Sequence, residues 1–360
     1  MKPGKEGYRI AVVGASSLLG KELMSVLEQG KFPVSRLLTF EADESEPELP
    51  IIDLSHASAA VVDDGQINEA ELDFTFLAAH VKELPAFLKS WQQQGTAARS
   101  LVIDVVGDGL VVEAAGDSPR PAIGADERVG IPFLDHRFPI AGVHTDAARI
   151  HVSAHPAVIA ISSLMLRLAA RFPLKTAVAQ VFCSASESGS RGVEELQRQT
   201  VNILSFQNVP DEIFGAQLAF NLLSRLGKSG KGEMKTLENR LHRQLHNYLG
   251  GRVPVPALRL LSVPTFYSIG VSLYVETAEP VTTEAATAAL AGERIKVRGS
   301  DLDAPSPVEV TGSSDILVDS ISHDAEHPNG LWLWAVADNL HLAATNAVEL
   351  AASLREQARA

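Results

Sequence analysis

Arg9-Ile10-Ala11-Val12-Val13-Gly14-Ala15-Ser16-Ser17-Leu18-Leu19-Gly20 decides the fold. A short β-branched run, Arg9 to Val13, stops at a glycine. Lys21 to Glu28 then continues with helical spacing, placing Leu19, Leu23, Val26 and Leu27 on one side. Gly30 ends that helix, and Ser35 to Phe40 reads as a second strand. Working outward, Phe74 to Ala78 and Leu101 to Val106 read as strands, with a helix over Leu84 to Gln94 between them. Strands alternating with helices predict an α/β fold built on a parallel, doubly wound sheet.

Past that sheet the pattern changes. Asp108 to Pro139 is rich in Gly, Pro and Asp and reads as loop, and a helix follows from Val158 to Ala170. Ala177 to Cys183 and Gly270 to Glu276 read as strands. Gly192 to Leu204 and Lys235 to Leu249 read as long helices, and Thr282 to Ala291 as a short one. Without repeated βαβ spacing, this stretch predicts an α+β second domain. Leu331 to Ala337 is the last strand-like run, and the Ala- and Leu-rich helix Asn339 to Gln357 is expected to return to the first domain. The expected division is 1–157 plus 330–360 for the first domain and 158–329 for the second, inserted one.

Composition removes several functional classes. The chain has 360 residues, more than one core usually serves. Thirty-one basic residues against forty-four acidic ones give a formal charge of −13, which argues against binding nucleic acid or an anionic membrane. No apolar run approaches the ~20 residues of a membrane helix, and Ile10 to Val13 is too short for a signal-peptide core, so a cytoplasmic location is expected. The single cysteine, Cys183, excludes an internal disulfide and any multi-thiolate zinc site.

Three stretches, taken in order, resemble the aspartate-semialdehyde dehydrogenases. They are Ala11 to Gly20 continued by Phe32-Pro33-Val34, then Gly192-Val193-Glu194-Glu195-Leu196-Gln197-Arg198-Gln199-Thr200, and finally Asp338-Asn339-Leu340 with Ala343-Ala344 and Asn346-Ala347-Val348. They lie near both ends and at the centre, so the resemblance covers essentially the whole chain. It implies an N-terminal NAD(P)-binding Rossmann-type domain with an inserted α+β domain for catalysis and homodimerisation. The family's reaction is NADP-dependent reductive dephosphorylation of aspartyl phosphate, in which a cysteine thiolate attacks the acyl phosphate and a histidine handles protons. It serves the aspartate-derived amino acids lysine, threonine and methionine.

The same resemblance, carried residue by residue, implies that this chemistry has been lost. The family's Asn-Pro-x-Cys nucleophile segment matches His155-Pro156-Ala157-Val158, so the thiol position falls at Val158. The Arg-Val-Pro segment matches Ser262-Val263-Pro264, and the histidine seven residues beyond its arginine falls at Ile269. One hydroxyl cannot replace a bidentate guanidinium. The phosphate-binding arginine falls at Leu110 and the substrate-contacting glutamine at Cys183, while a phosphate-binding lysine corresponds to Lys235. This pattern resembles the family's Usg-type paralogues.

On the cofactor side the candidates are Gly14, Ser16, Ser17, Leu18 and Gly20 of the turn, with Glu41 and Asn339. Ser17 stands where a middle glycine lets the backbone approach a pyrophosphate. Glu41 to Glu48 holds five carboxylates, which would repel a 2′-phosphate, whereas Glu41 suits a free ribose. The residues commit to no cofactor, and between the two they favour NAD over NADP. The plainer reading of the acidic run is a solvated loop.

The remaining candidates each have a plain structural reading. Cys183, with Ser184, Ser186 and Glu187 beside it, is either a relocated nucleophile or a small buried hydrophobe at a strand end, and the second is favoured. His242 and His246 are one helical turn apart, but no HExxH acid accompanies them, so no metal site is assigned. Leu196, Thr200 and Ile203 form one helix face, read as core or dimer interface. Two functions stay open: a catalytically silent homodimer that binds an unidentified small molecule or protein, or a working NAD(P)-dependent oxidoreductase.

Overall fold

The computed structural model describes residues 7–30, 32–40, 58–61, 72–79, 100–107, 111–112, 120–121, 128–139, 150–228, 234–299 and 302–357. They form two compact units: Met1–Ala154 with Ala343–Ala360, and His155–Leu342. The strands are β1 (Tyr8–Val13), β2 (Val34–Phe40), β3 (Ser58–Val61), β4 (Phe74–Leu77), β5 (Leu101–Asp104), β6 (Val111–Val112), β7 (Arg120–Pro121), β8 (Arg128–Gly130) and β9 (Ile150–Ser153), followed by β10 (Leu174–Cys183), β11 (Ala257–Ser262), β12 (Ile269–Thr277), β13 (Ile295–Val297), β14 (Ile316–His323) and β15 (Gly330–Ala337).

The first unit is built on a seven-stranded sheet in the order β3-β2-β1-β4-β5-β9-β8, with every neighbouring pair parallel. Its central strands are short apolar runs, as a sheet covered on both faces requires: Ile10, Val12, Phe74, Phe76, Val102 and Ile103 have no exposed surface. The helix after β1 runs from Leu18 to Gln29 and buries Leu23, Met24 and Leu27. The closing helix, His341–Gln357, contributes Ala343, Ala344, Ala347, Val348, Leu350 and Ala351 to the same core as Tyr8, Leu23 and Phe74. Alanines let it approach closely, and Gly130 makes room for it: a Cβ there would stand 2.5 Å from Leu350 Cδ1. Asn346 Nδ2 donates to the Gly130 carbonyl (3.0 Å) and to Ser153 Oγ (2.8 Å), tying the helix to the ends of β8 and β9.

The second unit has a mixed six-stranded sheet in the order β11-β10-β12-β15-β14-β13. Its long helices are Pro156–Ala169, Gly189–Leu204 and Met234–Leu249, with a shorter one at Thr283–Leu290. The fold is therefore α/β, a parallel doubly wound sheet followed by a mixed α+β unit.

Three expectations need correction. Gly330–Ala337 pairs antiparallel with both β12 and β14, so residues 330–342 belong to the second unit and not the first. At the other boundary, the helix expected to start at Val158 starts at Pro156, capped by His155, and the second unit starts with that cap. The stretch read as loop from Asp108 to Pro139 contains β8 and a turn of helix, Pro132–Asp135, whose Asp135 carboxylate accepts from Ile131 N (3.1 Å). A strand of three residues is too short to show an alternation. The helix expected over Leu84 to Gln94 lies outside the described residues.

Candidate functional site

In the first unit the glycine turn is held from within. Gly14 has φ +80°, and a Cβ there would sit 2.4 Å from Ala79 Cβ. Gly20 has no room either, since its Cβ would meet the Gly14 carbonyl oxygen at 2.1 Å. Ser17 caps the helix: its Oγ accepts from Gly20 N (2.9 Å) and donates to the Ala78 carbonyl (2.9 Å). Ser16 is buried. The Leu18 and Leu19 amides lie in the first helical turn, where amides suit an anion. A pyrophosphate at this turn would meet these two amides, while the Ser17 hydroxyl is spent on the cap. Glu41 and the acidic run to Glu48 lie outside the described residues, as does Leu110.

In the second unit the sheet gathers three of the expected positions in one cross-strand row. Cys183, at the end of β10, is registered with Ser262 on β11 and with Ile269 on β12. All three are buried, Ile269 completely. Val158, also fully buried, lies in the first turn of the Pro156–Ala169 helix. Ile269 follows Ser268, a fully buried residue held at φ +71°, a conformation that L side chains rarely adopt. Lys235 is not part of this row: it stands largely in solvent, and its Nζ donates to Glu238 (2.8 Å). His242 and His246 lie on the exposed side of their helix.

Burial pushes the Cys183 thiol well above its ordinary range, and the carboxylates of Glu187 and Glu238 push it further. A thiol so placed stays protonated and is a poor nucleophile. Its Sγ has only a weak contact, 4.0 Å, to the Val181 carbonyl.

Beside this row the structure assembles a polar network. His155 caps the Pro156–Ala169 helix: its Nδ1 accepts from Ala157 N (3.2 Å), so the ring proton sits on Nε2 and is donated to Glu187 Oε2 (3.1 Å). The His155 amide in turn donates to Gln244 Oε1 (2.9 Å). Asn339 Nδ2 donates to Glu187 Oε1 (2.9 Å) and to Ser186 Oγ (2.9 Å). Its Oδ1 accepts from Ser268 N (2.9 Å) and from Ser186 Oγ (3.2 Å). Ser184 and Ser186 share a hydrogen bond (3.0 Å). Burial raises the Glu187 pKa, but His155, the Asn339 amide and Arg240 outweigh it and hold the carboxyl below its ordinary range. Asn339, expected on the cofactor side, thus has its whole carboxamide committed inside the second unit. The one available signal was His155-Pro156, a capping residue followed by proline at the first helical position.

The Gly192–Thr200 stretch supplies a second set of buried polar side chains. Glu195 accepts from Ile213 N (2.8 Å) and Phe214 N (3.0 Å). Gln199 accepts from Leu218 N (2.7 Å) and Ala219 N (3.0 Å), and donates to the carbonyls of Pro210 and Ala216. These two side chains pin the 210–219 segment to the helix. Of the predicted face, Leu196 is buried and Thr200 and Ile203 partly so, while Val201 and Leu204 stand in solvent.

Comparison with known proteins agrees with this architecture. Residues 166–342 match the family model described as semialdehyde dehydrogenase, dimerisation domain. A curated aspartate-semialdehyde dehydrogenase of Rickettsia bellii is 25% identical over 355 residues, 96% of this chain and 97% of that protein. Residues 166–342 thus carry a semialdehyde dehydrogenase dimerisation domain, and nearly the whole chain is similar to the aspartate-semialdehyde dehydrogenases. A protein of Pseudomonas aeruginosa named a USG-1 protein homolog is 27% identical over 346 residues, covering 95% of this chain and 96% of that one. Among solved structures, a probable aspartate-semialdehyde dehydrogenase from Pseudomonas aeruginosa superposes with a TM-score of 0.80 at 24% identity, over 98% of this chain and 100% of that one. This likeness fixes the fold. No helix among the described residues is long and apolar enough to cross a membrane, and no cluster of three metal-ligating side chains occurs among them.

Proposed function

We propose that this homologue of the aspartate-semialdehyde dehydrogenases is catalytically silent in NADP-dependent reductive dephosphorylation of aspartyl phosphate, and that it acts as a homodimer binding a ligand or partner. The observation that carries this reading is the state of the only thiol in the chain. Cys183 is buried at a strand end, protonated, and flanked by carboxylates instead of a base. The reaction needs a thiolate with a proton carrier beside it.

The neighbouring residues support the same reading. By the family resemblance, Val158 stands for the nucleophile and Ile269 for the histidine, and both are completely buried. Ser262 stands for the arginine that grips the substrate carboxylate. The His155 imidazole, beside Glu187, spends Nδ1 on a helix cap and Nε2 on the carboxylate, so neither nitrogen is left to take a proton from a thiol. A nicotinamide dinucleotide, when bound, supplies hydride transfer. In this chain the Leu18 and Leu19 amides would hold its pyrophosphate, and the acidic run from Glu41 would favour NAD over NADP. Homodimerisation is supported by the match of 166–342 to a dimerisation domain.

The test is an acyl-enzyme trap. The protein is mixed with aspartate semialdehyde and NADP or NAD, with phosphate withheld, so that any thioester formed by hydride transfer accumulates. Intact-mass spectrometry is expected to show unmodified chain. An acyl adduct mapped to Cys183 would overturn the reading, and the active oxidoreductase would replace it.

A further inference from the structure

The His155 ring makes two hydrogen bonds with opposite requirements. His155 precedes the Pro156–Ala169 helix, which packs on β10, β12 and β15 and touches both the Met234–Leu249 and the Thr283–Leu290 helices. Its side chain is 9% exposed. Nδ1 accepts from the Ala157 amide at 3.2 Å, which needs a bare lone pair on that nitrogen. Nε2 donates to Glu187 Oε2 at 3.1 Å, which needs a proton on the other. A neutral ring in a single tautomer meets both demands.

The charged ring cannot. An imidazolium carries a proton on each nitrogen, so Nδ1–H would face the Ala157 N–H, donor against donor, and the cap would be lost. The bond to Glu187 would gain instead, because the carboxylate is ionised: burial raises its pKa, but His155, the Asn339 amide and Arg240 together hold it below the ordinary range. Protonation thus exchanges a neutral cap bond for a charge-assisted one, roughly twice as strong. The remaining groups around the ring do not compete for the proton. Gln244, which accepts from the His155 amide, and Asn339 are neutral. Arg240 acts on Glu187 from the Met234–Leu249 helix. Cys183 keeps its own proton, since burial and the carboxylates of Glu187 and Glu238 raise its pKa.

Two other helix caps in the chain have no such second state. Ser17 and Thr282 cap with hydroxyls that accept from Gly20 N and Ala285 N. Histidine is the side chain whose charge ordinarily changes between about pH 5 and 8. The helix start also depends on this one contact. Pro156 has no N–H, so the first amide of the helix is that of Ala157, and the ring is its partner.

We propose that His155 is a proton-operated cap: neutral, it closes the first turn of the Pro156–Ala169 helix, and charged, it releases Ala157 and holds Glu187 alone. Val158 lies in the turn that is released. Glu187 carries the change to Asn339, whose Nδ2 donates to it and to Ser186. The switch operates whether or not the chain turns over a substrate.

Two measurements on the full chain, made together from about pH 8 to about pH 5, test this. Nitrogen NMR of histidine-labelled protein reads the ring, with the His155 signals identified as those missing from His155→Asn. Hydrogen–deuterium exchange, corrected for its intrinsic pH dependence, reads the Ala157 amide. At the alkaline end the ring should be neutral with its proton on Nε2. As it protonates, protection of the Ala157 amide should fall about tenfold, the effect of losing a typical cap. Asparagine caps helices and does not titrate, so His155→Asn should keep that protection constant throughout. Glu187→Gln, an acceptor without the charge, should move protonation of the ring to lower pH, with circular dichroism confirming that both variants are folded. A ring that protonates while Ala157 stays protected would overturn the proposal, as would a proton on Nδ1 at the alkaline end or a ring still neutral at the acid end. These three outcomes are read on the unaltered chain. Equal loss of protection in His155→Asn would place the pH response elsewhere and overturn it as well.

Discussion

Replacing Asn339 with alanine removes the side chain on which the second unit's polar network converges. Four hydrogen bonds go with it: from Ser268 N, to Glu187, and both contacts with Ser186. Neutral bonds contribute about 1 kcal/mol each, and one to a charged acceptor about 1.5–3. Water entering the small space left behind recovers part of this, which leaves a loss of about 3–5 kcal/mol. A urea titration followed by Trp332 and Trp334 fluorescence reads the second unit; with an m value of about 2–3 kcal/mol/M the midpoint should fall by about 1–2 M. Acid sensitivity should change as well. Glu187 has a depressed pKa in the folded chain, so its stabilisation is fully present above the ordinary carboxylate range and is lost as the pH falls through its folded pKa. Without Asn339 that pKa rises, and the acid limb moves toward neutral pH. A midpoint shift equivalent to less than about 1 kcal/mol would mean that the network does not hold the second unit together.

Four further outcomes follow from the same geometry. Glu195→Ala leaves the amides of Ile213 and Phe214 without acceptors, and should cost about 2–4 kcal/mol while opening the 210–219 segment to limited proteolysis. Arg167→Leu removes the guanidinium that donates to the carbonyls of Leu290, Ala291 and Glu293 at the end of the Thr283–Leu290 helix, with an expected thermal destabilisation of about 2–4 kcal/mol. In the exposed 324–332 turn, Asp324 accepts from His327 and Trp332 and raises the His327 pKa. That contact is fully present below the usual histidine range and fades as the pH rises through the folded value, so an NMR titration should show His327 titrating lower in Asp324→Asn. Val158→Cys alone should not create dehydrogenase activity, because Ile269 and Ser262 still lack the base and the arginine; activity from that single change would refute the alignment.

Where a residue pattern repeats over a full element, the sequence was a sufficient guide. Ile10, Val12, Leu23 and Leu27 announce a buried strand and an amphipathic helix locally, and the structure has both. β15 shows the limit. Its apolar run was readable as a strand, but nothing in Leu331 to Ala337 says which sheet it joins, because that is decided by hydrogen bonds to β12, more than fifty residues away in the chain. The convergence of Cys183, Ser262 and Ile269 was legible only through the family resemblance; in the structure it is a consequence of strand register. The His155–Glu187–Asn339 network joins residues separated by 32 and 152 positions, so no local spacing could reveal it. Glu195 and Gln199 were visible as motif letters, but an acid at a helical position reads as solvated until the amides it binds are known.

The central claim is that a site shaped by this family's fold no longer turns over its substrate. Purified protein, aspartate semialdehyde and phosphate, followed by absorbance as NADP or NAD is reduced, measures that directly. The account predicts no phosphate-dependent signal above the enzyme-free blank. Turnover at an ordinary enzymatic rate, about 1–10³ per second, abolished by Cys183→Ala, would contradict it.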